Sequence, residues 1–298
     1  RACYFFSIAL LVLPLGADEI LDQKAGARKV AGGCKFTEGP AVSPSGDLFF
    51  SDIENNRIMR VAESGKVEEF RRPSGRANGI VFDAGGRLVM CQGGGPDGGR
   101  RVVRLEKDGR ETVLAETYGG KKFIAPNDLC IDGRGRIFFT DPYYGPPAVK
   151  SQPSSGVYLI AAEGRVRLLL KDLLKPNGIA LSPDGRHLYI SDRGTQKLHR
   201  YRVEEEGNLT ERKIVYDFSP DRGIDGMCLD ARGNIYGAAG QEKTTGLFVI
   251  SPGGKLLLHR PMPEFSTNVT FGGKDGRDLY LTASSSVYKM RALQAGIP

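Results

Sequence analysis

One short pattern recurs six times along this chain of 298 residues. Each copy has an apolar anchor residue, then a turn that carries a glycine, then a run rich in β-branched and aromatic residues. The anchors are Val42, Phe82, Ile131, Leu181, Leu229 and Phe271. Subtracting neighbouring positions gives spacings of 40, 49, 50, 48 and 42 residues. A period of this length, with several strands in each repeat, is typical of β-propeller blades.

The glycine lies four residues after the anchor in five copies and five residues after it in the sixth. These glycines are Gly46, Gly86, Gly135, Gly185, Gly233 and Gly276. Glycine supplies the positive φ that a tight hairpin connection requires. Each interval also has room for a second hairpin, as in Arg57–Val61 followed by Lys66–Phe70. We therefore expect an all-β fold, a six-bladed β-propeller with four-stranded blades, since a β-sandwich with irregular hairpins has no reason to repeat one turn formula.

The first seventeen residues differ in composition from the rest of the chain. Arg1 is followed by an apolar run from Tyr4 to Leu15, then by small residues and the acidic pair Asp18-Glu19. This layout is typical of a secretory signal peptide, and the run is shorter than the roughly 20 residues that span a bilayer. We expect residues 1–17 to be a signal peptide and 18–298 a single propeller domain. The protein would then be periplasmic or secreted, without stable membrane insertion once the signal is removed; an uncleaved anchor is the alternative.

The segment between the signal and the first repeat should supply an outer strand or cover one face of the propeller. Pairing such a strand with the last blade would remove an open sheet edge.

The charged and reactive residues exclude several function classes. The net charge of +7 comes from scattered Lys and Arg without a basic run, so nucleic acid is not an expected partner. The cysteines outside the leader show no zinc-ligand spacing and allow no disulfide to be assigned. Three histidines, at 187, 199 and 259, offer no evident Ser-His-Asp triad.

Polar residues stand at one fixed position of the repeat, four residues before each anchor. They are Glu38, Asn78, Asn127, Asn177, Asp225 and Thr267. Equivalent positions of the innermost strands surround the propeller axis, so these side chains should form a ring of oxygen ligands. Such a ring suits one hard divalent cation, Ca²⁺ above all, with Zn²⁺, Mg²⁺ and Mn²⁺ as alternatives. Local Asx turns would account for two or three of these residues but not for the whole set.

Seven segments together resemble the senescence-marker-protein/gluconolactonase/luciferin-regenerating-enzyme-like family, from about Val30 to the last blade. The segments are FTEGPAV from Phe36, RANG from Arg76, APNDL from Ala125, FTDPYYG from Phe139, KPNGIA from Lys175, IDGM from Ile224 and TNVTFGG from Thr267. The resemblance implies a six-bladed propeller with one catalytic divalent metal, in an enzyme that hydrolyses sugar lactones such as gluconolactone. The pair Tyr143-Tyr144 departs from the Pro-Tyr usual in that loop, which leaves the pocket shape open.

The resemblance also assigns roles to residues of the ring. The implied metal ligands are Glu38, Asn127, Asn177 and Asp225. Arg76, Asn78 and Asn127 would contact the substrate, and Asp225 would also be the general base that activates water while the metal polarises the carbonyl. A surface ion pair is the alternative interpretation of Arg76. Thr267 receives no role.

Two other functions remain open at this point. The same metal ring would also suit an organophosphate or phosphotriester hydrolase, and a propeller can serve as a non-catalytic binding platform. A small-molecule lactone is the expected partner, whereas the particular lactone and the oligomeric state are not predicted.

Overall fold

The computed structural model describes residues 20–22, 24–144 and 151–297. The described residues form six four-stranded antiparallel sheets and one two-stranded ribbon, with two short 3-10 turns at Ile53–Asn55 and Glu242–Thr244. The predicted six-bladed, all-β architecture is therefore confirmed. Residues 1–17, assigned above to a signal peptide, lie outside the described residues, so export stays a prediction. Within the described ranges, none of the helical segments has the length and apolar character needed to cross a membrane.

The strands follow the chain blade by blade, each blade running from its innermost to its outermost strand. An N-terminal strand comes first, β1 (Arg28–Ala31). Blade 1 contains β2 (Thr37–Val42), β3 (Leu48–Asp52), β4 (Arg57–Val61) and β5 (Val67–Arg71). Blade 2 contains β6 (Ala77–Phe82), β7 (Leu88–Gln92), β8 (Arg101–Leu105) and β9 (Glu111–Ala115). A ribbon of β10 (Thr117–Tyr118) and β11 (Lys121–Lys122) follows.

The remaining blades repeat the same order. Blade 3 contains β12 (Leu129–Ile131), β13 (Ile137–Asp141), β14 (Gly156–Ile160) and β15 (Val166–Leu170). Blade 4 contains β16 (Pro176–Leu181), β17 (His187–Asp192), β18 (Lys197–Val203) and β19 (Leu209–Asp217). Blade 5 contains β20 (Met227–Leu229), β21 (Ile235–Ala239), β22 (Gly246–Ile250) and β23 (Leu256–Pro261). Blade 6 contains β24 (Ser266–Gly272), β25 (Asp278–Ala283) and β26 (Ser286–Arg291).

The N-terminal strand completes the last blade. β1 pairs antiparallel with β26, with Arg28 opposite Lys289, so blade 6 has the order β24-β25-β26-β1. Each innermost strand contacts the innermost strands of the two neighbouring blades, and β24 contacts β2, which closes the ring. The expected outer strand is thus confirmed, and it covers an edge that would otherwise expose unpaired backbone groups.

The recurring glycines lie in the turns that join the first two strands of each blade. All six have positive φ, for example 92° at Gly46 and 76° at Gly135. In blade 1 the turn is closed by a hydrogen bond from the Gly46 amide to the Ser43 carbonyl, at 2.9 Å. Residues with a Cβ rarely adopt this conformation, which explains why one turn formula marks every blade.

Apolar side chains fill the space between neighbouring blades. Between blades 2 and 3, Phe123, Phe139 and Tyr158 pack in one buried cluster with Val89 and Cys91. The ring centroids of Phe139 and Tyr158 lie 5.3 Å apart in a stacked arrangement. Burying each large apolar side chain contributes about 1.5–3 kcal/mol to folding. The cysteines in the described residues, at 34, 91, 130 and 228, are free.

Candidate active site

The polar residues of the repeat lie where the innermost strands depart from regular pairing. The pairing register shifts beside Glu38 in β2, Asn78 in β6 and Asn177 in β16. In blades 3 and 5 the innermost strands begin two residues after Asn127 and Asp225. A β-bulge frees a residue from the ladder and redirects its side chain. The local irregularity therefore explains how polar side chains leave the strand surfaces at this level of the propeller.

Asp225 makes the densest set of polar contacts near the axis. Its Oδ1 accepts a hydrogen bond from Nδ2 of Asn177 at 2.6 Å. Its Oδ2 accepts from Nη1 of Arg222 at 2.8 Å and from Nη1 of Arg193 at 3.4 Å. Both carboxylate oxygens are thus held in place by partners from blades 4 and 5. The fixed orientation suits a carboxylate that must present one defined edge to a ligand.

Arg222 is a buried ion-pair partner that the sequence pattern did not reveal. It is 7% exposed. Its Nε donates to the carbonyl of Gly240 at 2.6 Å, and its Nη2 donates to the carbonyl of Ser266 at 2.6 Å. The guanidinium lies 4.0 Å from the ring centroid of Phe265. With every nitrogen engaged, the guanidinium has one orientation, and Asp225 is oriented through it.

Two further carboxyl groups are buried close to Asp225. Oε2 of Glu38 accepts the amide hydrogen of Gly39 at 3.0 Å, and Oδ1 of Asp128 accepts that of Leu129 at 3.0 Å. Burial raises the pKa of Glu38 well above its usual value, and the negative charge of Asp225 raises it further. Burial raises the pKa of Asp128 to about 7. The Asn268 side chain interacts favourably with both carboxylates and opposes these upward pKa shifts. A cation at this site would therefore be electrostatically favourable.

One member of the expected ring has a different environment. Oγ1 of Thr267 donates a hydrogen bond to the carbonyl of Thr37 at 2.8 Å and lies 2.8 Å from Oγ1 of Thr282. Thr267 thus links blade 6 to blade 1, and the expectation that all six repeat positions contribute to one ligand ring is wrong at this position. The next residue, Asn268, interacts with Glu38 and Asp128.

The innermost strands of blades 2 and 3 approach each other closely at Gly79, and this contact requires glycine. The Gly79 amide donates to the carbonyl of Asn127 at 2.7 Å. A Cβ at Gly79 would lie 2.5 Å from Oδ1 of Asp128 and 2.8 Å from its Cα. Glycine at this position allows the neighbouring innermost strands to approach.

We expect Gly79→Ala to destabilise the fold by about 1–3 kcal/mol, because the added methyl group overpacks the axis against backbone atoms. Urea denaturation of the folded protein measures the change. Gly133→Ala is the matched control, because a Cβ there meets nothing within 4 Å and the backbone φ is not positive. A loss below about 0.5 kcal/mol for Gly79→Ala, similar to the control, would contradict the tight approach.

A cavity of about 730 Å³ is connected to these groups through Tyr144, which lines the cavity and contacts Asn177. Its walls include three of the predicted substrate-binding residues, Arg76, Asn78 and Asn127, together with Tyr144. The side-chain amides of Asn78 and Asn127 make no hydrogen bond with any described residue, so they are available to a ligand. The structure therefore places the substrate-binding candidates on one cavity wall.

The arginine and the tyrosine of this cavity also make contacts with the protein. Nη2 of Arg76 pairs with Oε1 of Glu54 at 2.6 Å, so the surface ion pair considered above exists at the rim. The Tyr144 hydroxyl lies 2.7 Å from Nδ2 of Asn177. Desolvation raises the Tyr144 pKa above its usual range. Tyr144 thus connects the cavity wall to a predicted metal ligand.

The predicted metal ligands provide a mixed set of donors. Across residues 20–22, 24–144 and 151–297, no three Asp, Glu, His or Cys side chains converge as a metal-binding group. A site formed here would combine the carboxylates of Glu38 and Asp225 with the amide oxygens of Asn127 and Asn177. Nδ2 of Asn177 donates to both Asp225 and Tyr144, which leaves its carbonyl oxygen as the free acceptor. This donor chemistry fits a hard divalent cation.

A family model described as the SMP-30/gluconolactonase/LRE-like region matches residues 36–285. The chain belongs to this family. The matched region extends from blade 1 into blade 6 and includes every residue of the candidate site. The family resemblance read from the sequence motifs is thereby confirmed.

Several relatives within the family are similar over most of their length. A gluconolactonase of Zymomonas mobilis is 30% identical, over 94% of this chain and 85% of the relative. A 6-deoxy-6-sulfogluconolactonase of Pseudomonas putida is 28% identical, over 80% of this chain and 79% of the relative. The solved structure of a gluconolactonase from Xanthomonas campestris superposes with a TM-score of 0.82 and 29% identity, covering 91% of each chain.

Proposed function

We propose that this protein is a lactonase that opens a sugar lactone, with a divalent metal ion bound by Glu38, Asn127, Asn177 and Asp225. The observation that carries the proposal is the buried Glu38–Asp225 pair, which Asn177 and Tyr144 connect to a cavity lined by Asn78 and Asn127. The gluconolactonase and sulfogluconolactonase relatives support a lactone as the substrate class.

The charge balance of the site supports metal binding. Glu38 and Asp225 repel each other strongly enough to contribute to the raised pKa of Glu38. Arg222 and Arg193 compensate Asp225 from one side, whereas Glu38 has no ion pair among the described residues. A cation bound by Glu38 and Asp225 would relieve this repulsion. A divalent ion bound there would supply Lewis acidity toward the lactone carbonyl.

Residues of the chain would carry out the proton transfers of ester hydrolysis. Asp225, oriented by Arg222 and Asn177, would accept a proton from the attacking water. Water adds to the carbonyl carbon, the bond between that carbon and the ring oxygen breaks, and the proton passes to the ring oxygen. The product is the open-chain hydroxy acid.

Substrate recognition would come from the cavity wall. The free amide groups of Asn78 and Asn127 can bind sugar hydroxyls through both their oxygen and nitrogen atoms. Arg76, at the rim, can donate to an oxygen of the substrate while its pairing with Glu54 keeps the guanidinium in position. These contacts would place the carbonyl next to Asp225.

The experiment that tests the function is a pH-stat assay, which detects the acid released when a lactone opens. We expect hydrolysis of aldono-lactones above the uncatalysed rate and no hydrolysis of a phosphotriester under the same conditions. Preference for the phosphotriester would replace the lactonase proposal with the alternative that the sequence left open.

Metal binding gives a separate prediction that does not depend on activity. After dialysis against EDTA, adding Ca²⁺ should raise the melting temperature, because a ligand present at 100 times its Kd stabilises the folded state by about 2.7 kcal/mol. Glu38→Gln should lose most of this rise, because it removes one of two carboxylate ligands. Glu116→Gln, which affects an exposed carboxylate paired with Lys122, is the control and should respond as the parent does. No thermal shift with Ca²⁺, Mg²⁺, Mn²⁺ or Zn²⁺ would refute metal binding.

A further inference from the structure

Arg100 is a cavity-lining cation that forms no ion pair with any described residue. It lies on the wall of the 730 Å³ cavity described above. Its Nε donates to the carbonyl of Phe123 at 2.8 Å. Its Nη2 is buried and has no hydrogen-bond partner within the part of the chain that the structure describes. Among the described residues, no carboxylate oxygen lies within 4.0 Å of the guanidinium, whereas Arg76 on the same cavity pairs with Glu54. A buried N–H group without a partner is costly, so a ligand that accepts from Arg100 would gain the full interaction.

Asp141 interacts electrostatically with Arg100 without direct contact, and its carboxylate hydrogen-bonds to backbone amides. Asp141 accepts the amide hydrogen of Ile124 at 2.9 Å and that of Ala125 at 2.6 Å. Burial raises the pKa of Asp141 to about 7, and the positive charge of Arg100 opposes this shift. Asp141 thus anchors the segment that forms the cavity wall and does not neutralise Arg100 by direct contact.

The glycine-rich loop of residues 93–99 restricts the position of Arg100. Arg100 has φ 52°, and its amide donates to the carbonyl of Gly93 at 3.1 Å. A Cβ at Gly98 would lie 2.6 Å from the carbonyl oxygen of Gly94, so the glycine-rich loop folds tightly on itself. A left-handed conformation is unfavourable for a residue with a side chain, and such positions concentrate at ligand-binding sites.

The other cations near the site are less suited to bind an additional group. Nη1 of Arg193 contacts Asp225, and its guanidinium lies 6.0 Å from the Tyr144 ring centroid. Arg222 is saturated by Asp225 and two backbone carbonyls. Arg100 therefore lines the cavity, forms no ion pair with a described residue and keeps part of its guanidinium without a hydrogen-bond partner among those residues.

We propose that Arg100 forms a subsite for an anionic substituent of the lactone, such as a phosphate, sulfonate or carboxylate group remote from the ester. The inference rests on the proposed lactonase function and specifies its substrate class. A guanidinium matches the oxygen geometry of these anions and binds them through charge-assisted hydrogen bonds. The cavity lies in the upper part of the range of small-molecule sites, roughly 300–1,000 Å³, so it accommodates a sugar ring together with a substituent.

The test compares glucono-lactone with its 6-phosphate, which adds one anionic group to the same ring. For the parent protein, we expect kcat/KM to be at least about tenfold higher for the phosphorylated lactone, chiefly through KM, after the uncatalysed rate is subtracted. Arg100→Gln should reduce this ratio toward one. Arg100→Lys, which keeps the charge but not the planar fork, should give an intermediate ratio. Arg110→Gln removes an equal charge from an exposed turn and should leave the ratio unchanged.

The outcomes separate the subsite from the proposed function. Hydrolysis of both lactones at equal kcat/KM by the parent would overturn the subsite and leave the lactonase function intact. Hydrolysis of neither lactone would refute the lactonase function, and calorimetric titration with gluconate 6-phosphate would then decide the subsite. Binding by the parent that weakens at least tenfold in Arg100→Gln would support it, whereas absence of binding by the parent would overturn it. If the glutamine variant does not fold, the ratio measured for Arg100→Lys decides the question.

Discussion

Asp225→Asn should lower kcat for lactone hydrolysis by about 10²–10⁴-fold, the usual contribution of a positioned general base. The amide has the shape of the carboxylate but cannot accept the proton of an attacking water. It also leaves the buried Arg222 without its charged partner. Initial rates from a pH-stat, measured on protein whose folding is verified by circular dichroism, give the effect.

A buried carboxylate of the same blade provides the control for this substitution. Asp230 accepts the Asn234 amide at 2.9 Å and its side-chain nitrogen at 2.8 Å, in a turn away from the cavity. Asp230→Asn should reduce the melting temperature without a comparable loss of kcat. If Asp225→Asn keeps the parental kcat while it still binds metal, Asp225 is not the base.

Arg222→Met should destabilise the protein by about 3–5 kcal/mol, because removing one partner of a buried ion pair leaves the other charge uncompensated. It should also reduce kcat more than it raises KM, since Arg222 orients Asp225 and does not line the cavity. Denaturant unfolding measures the first effect and steady-state kinetics the second.

Arg193→Met is the matched comparison, because Arg193 contacts the same carboxylate at 3.4 Å and has a side chain 25% exposed. Its loss should cost less than about 1 kcal/mol, as is usual for partly solvated ion pairs. Arg222→Lys should recover part of the activity that Arg222→Met loses. Equal stability losses for the two methionine variants would show that the buried pair has no special role.

The architecture could be predicted from the sequence because it depends on local chemistry that repeats. The turn glycines, such as Gly46 and Gly135, are required by a positive φ within each hairpin. Such a requirement acts over a few residues and is therefore visible in the sequence. The covering of blade 6 by β1 was expected from the open edge of the sheet, although the residues that pair could not be specified.

The candidate site was predictable only where it follows the repeat. Asn78 and Asn127 line the cavity, and Asn177 contacts Asp225, as their common register suggested. Thr267 differs because its hydroxyl donates to the carbonyl of Thr37 and so links blade 6 to blade 1. Such a contact depends on the neighbouring blade, and a repeat pattern cannot reveal it.

The residues that the sequence did not indicate act across blade boundaries. Arg222 reaches a carbonyl of blade 6, and Arg193 reaches Asp225 from blade 4. Arg100 is distinguished by its guanidinium Nη2, which has no hydrogen-bond partner among the described residues. These properties arise from the spatial arrangement of distant segments, so neither residue type nor spacing marks them in the sequence.

The pairing of β1 with β26 has a consequence for the order of events during synthesis. β1 leaves the ribosome before any blade exists, yet its partner strand, Ser286–Arg291, is made only after the strands of the first five blades. Five blades can form their own hairpins while the chain grows, but the sixth cannot be completed until β26 has been made and pairs with β1. Until that moment β1 has no partner strand, which makes its pairing with β26 the step at which chaperones would be of most use.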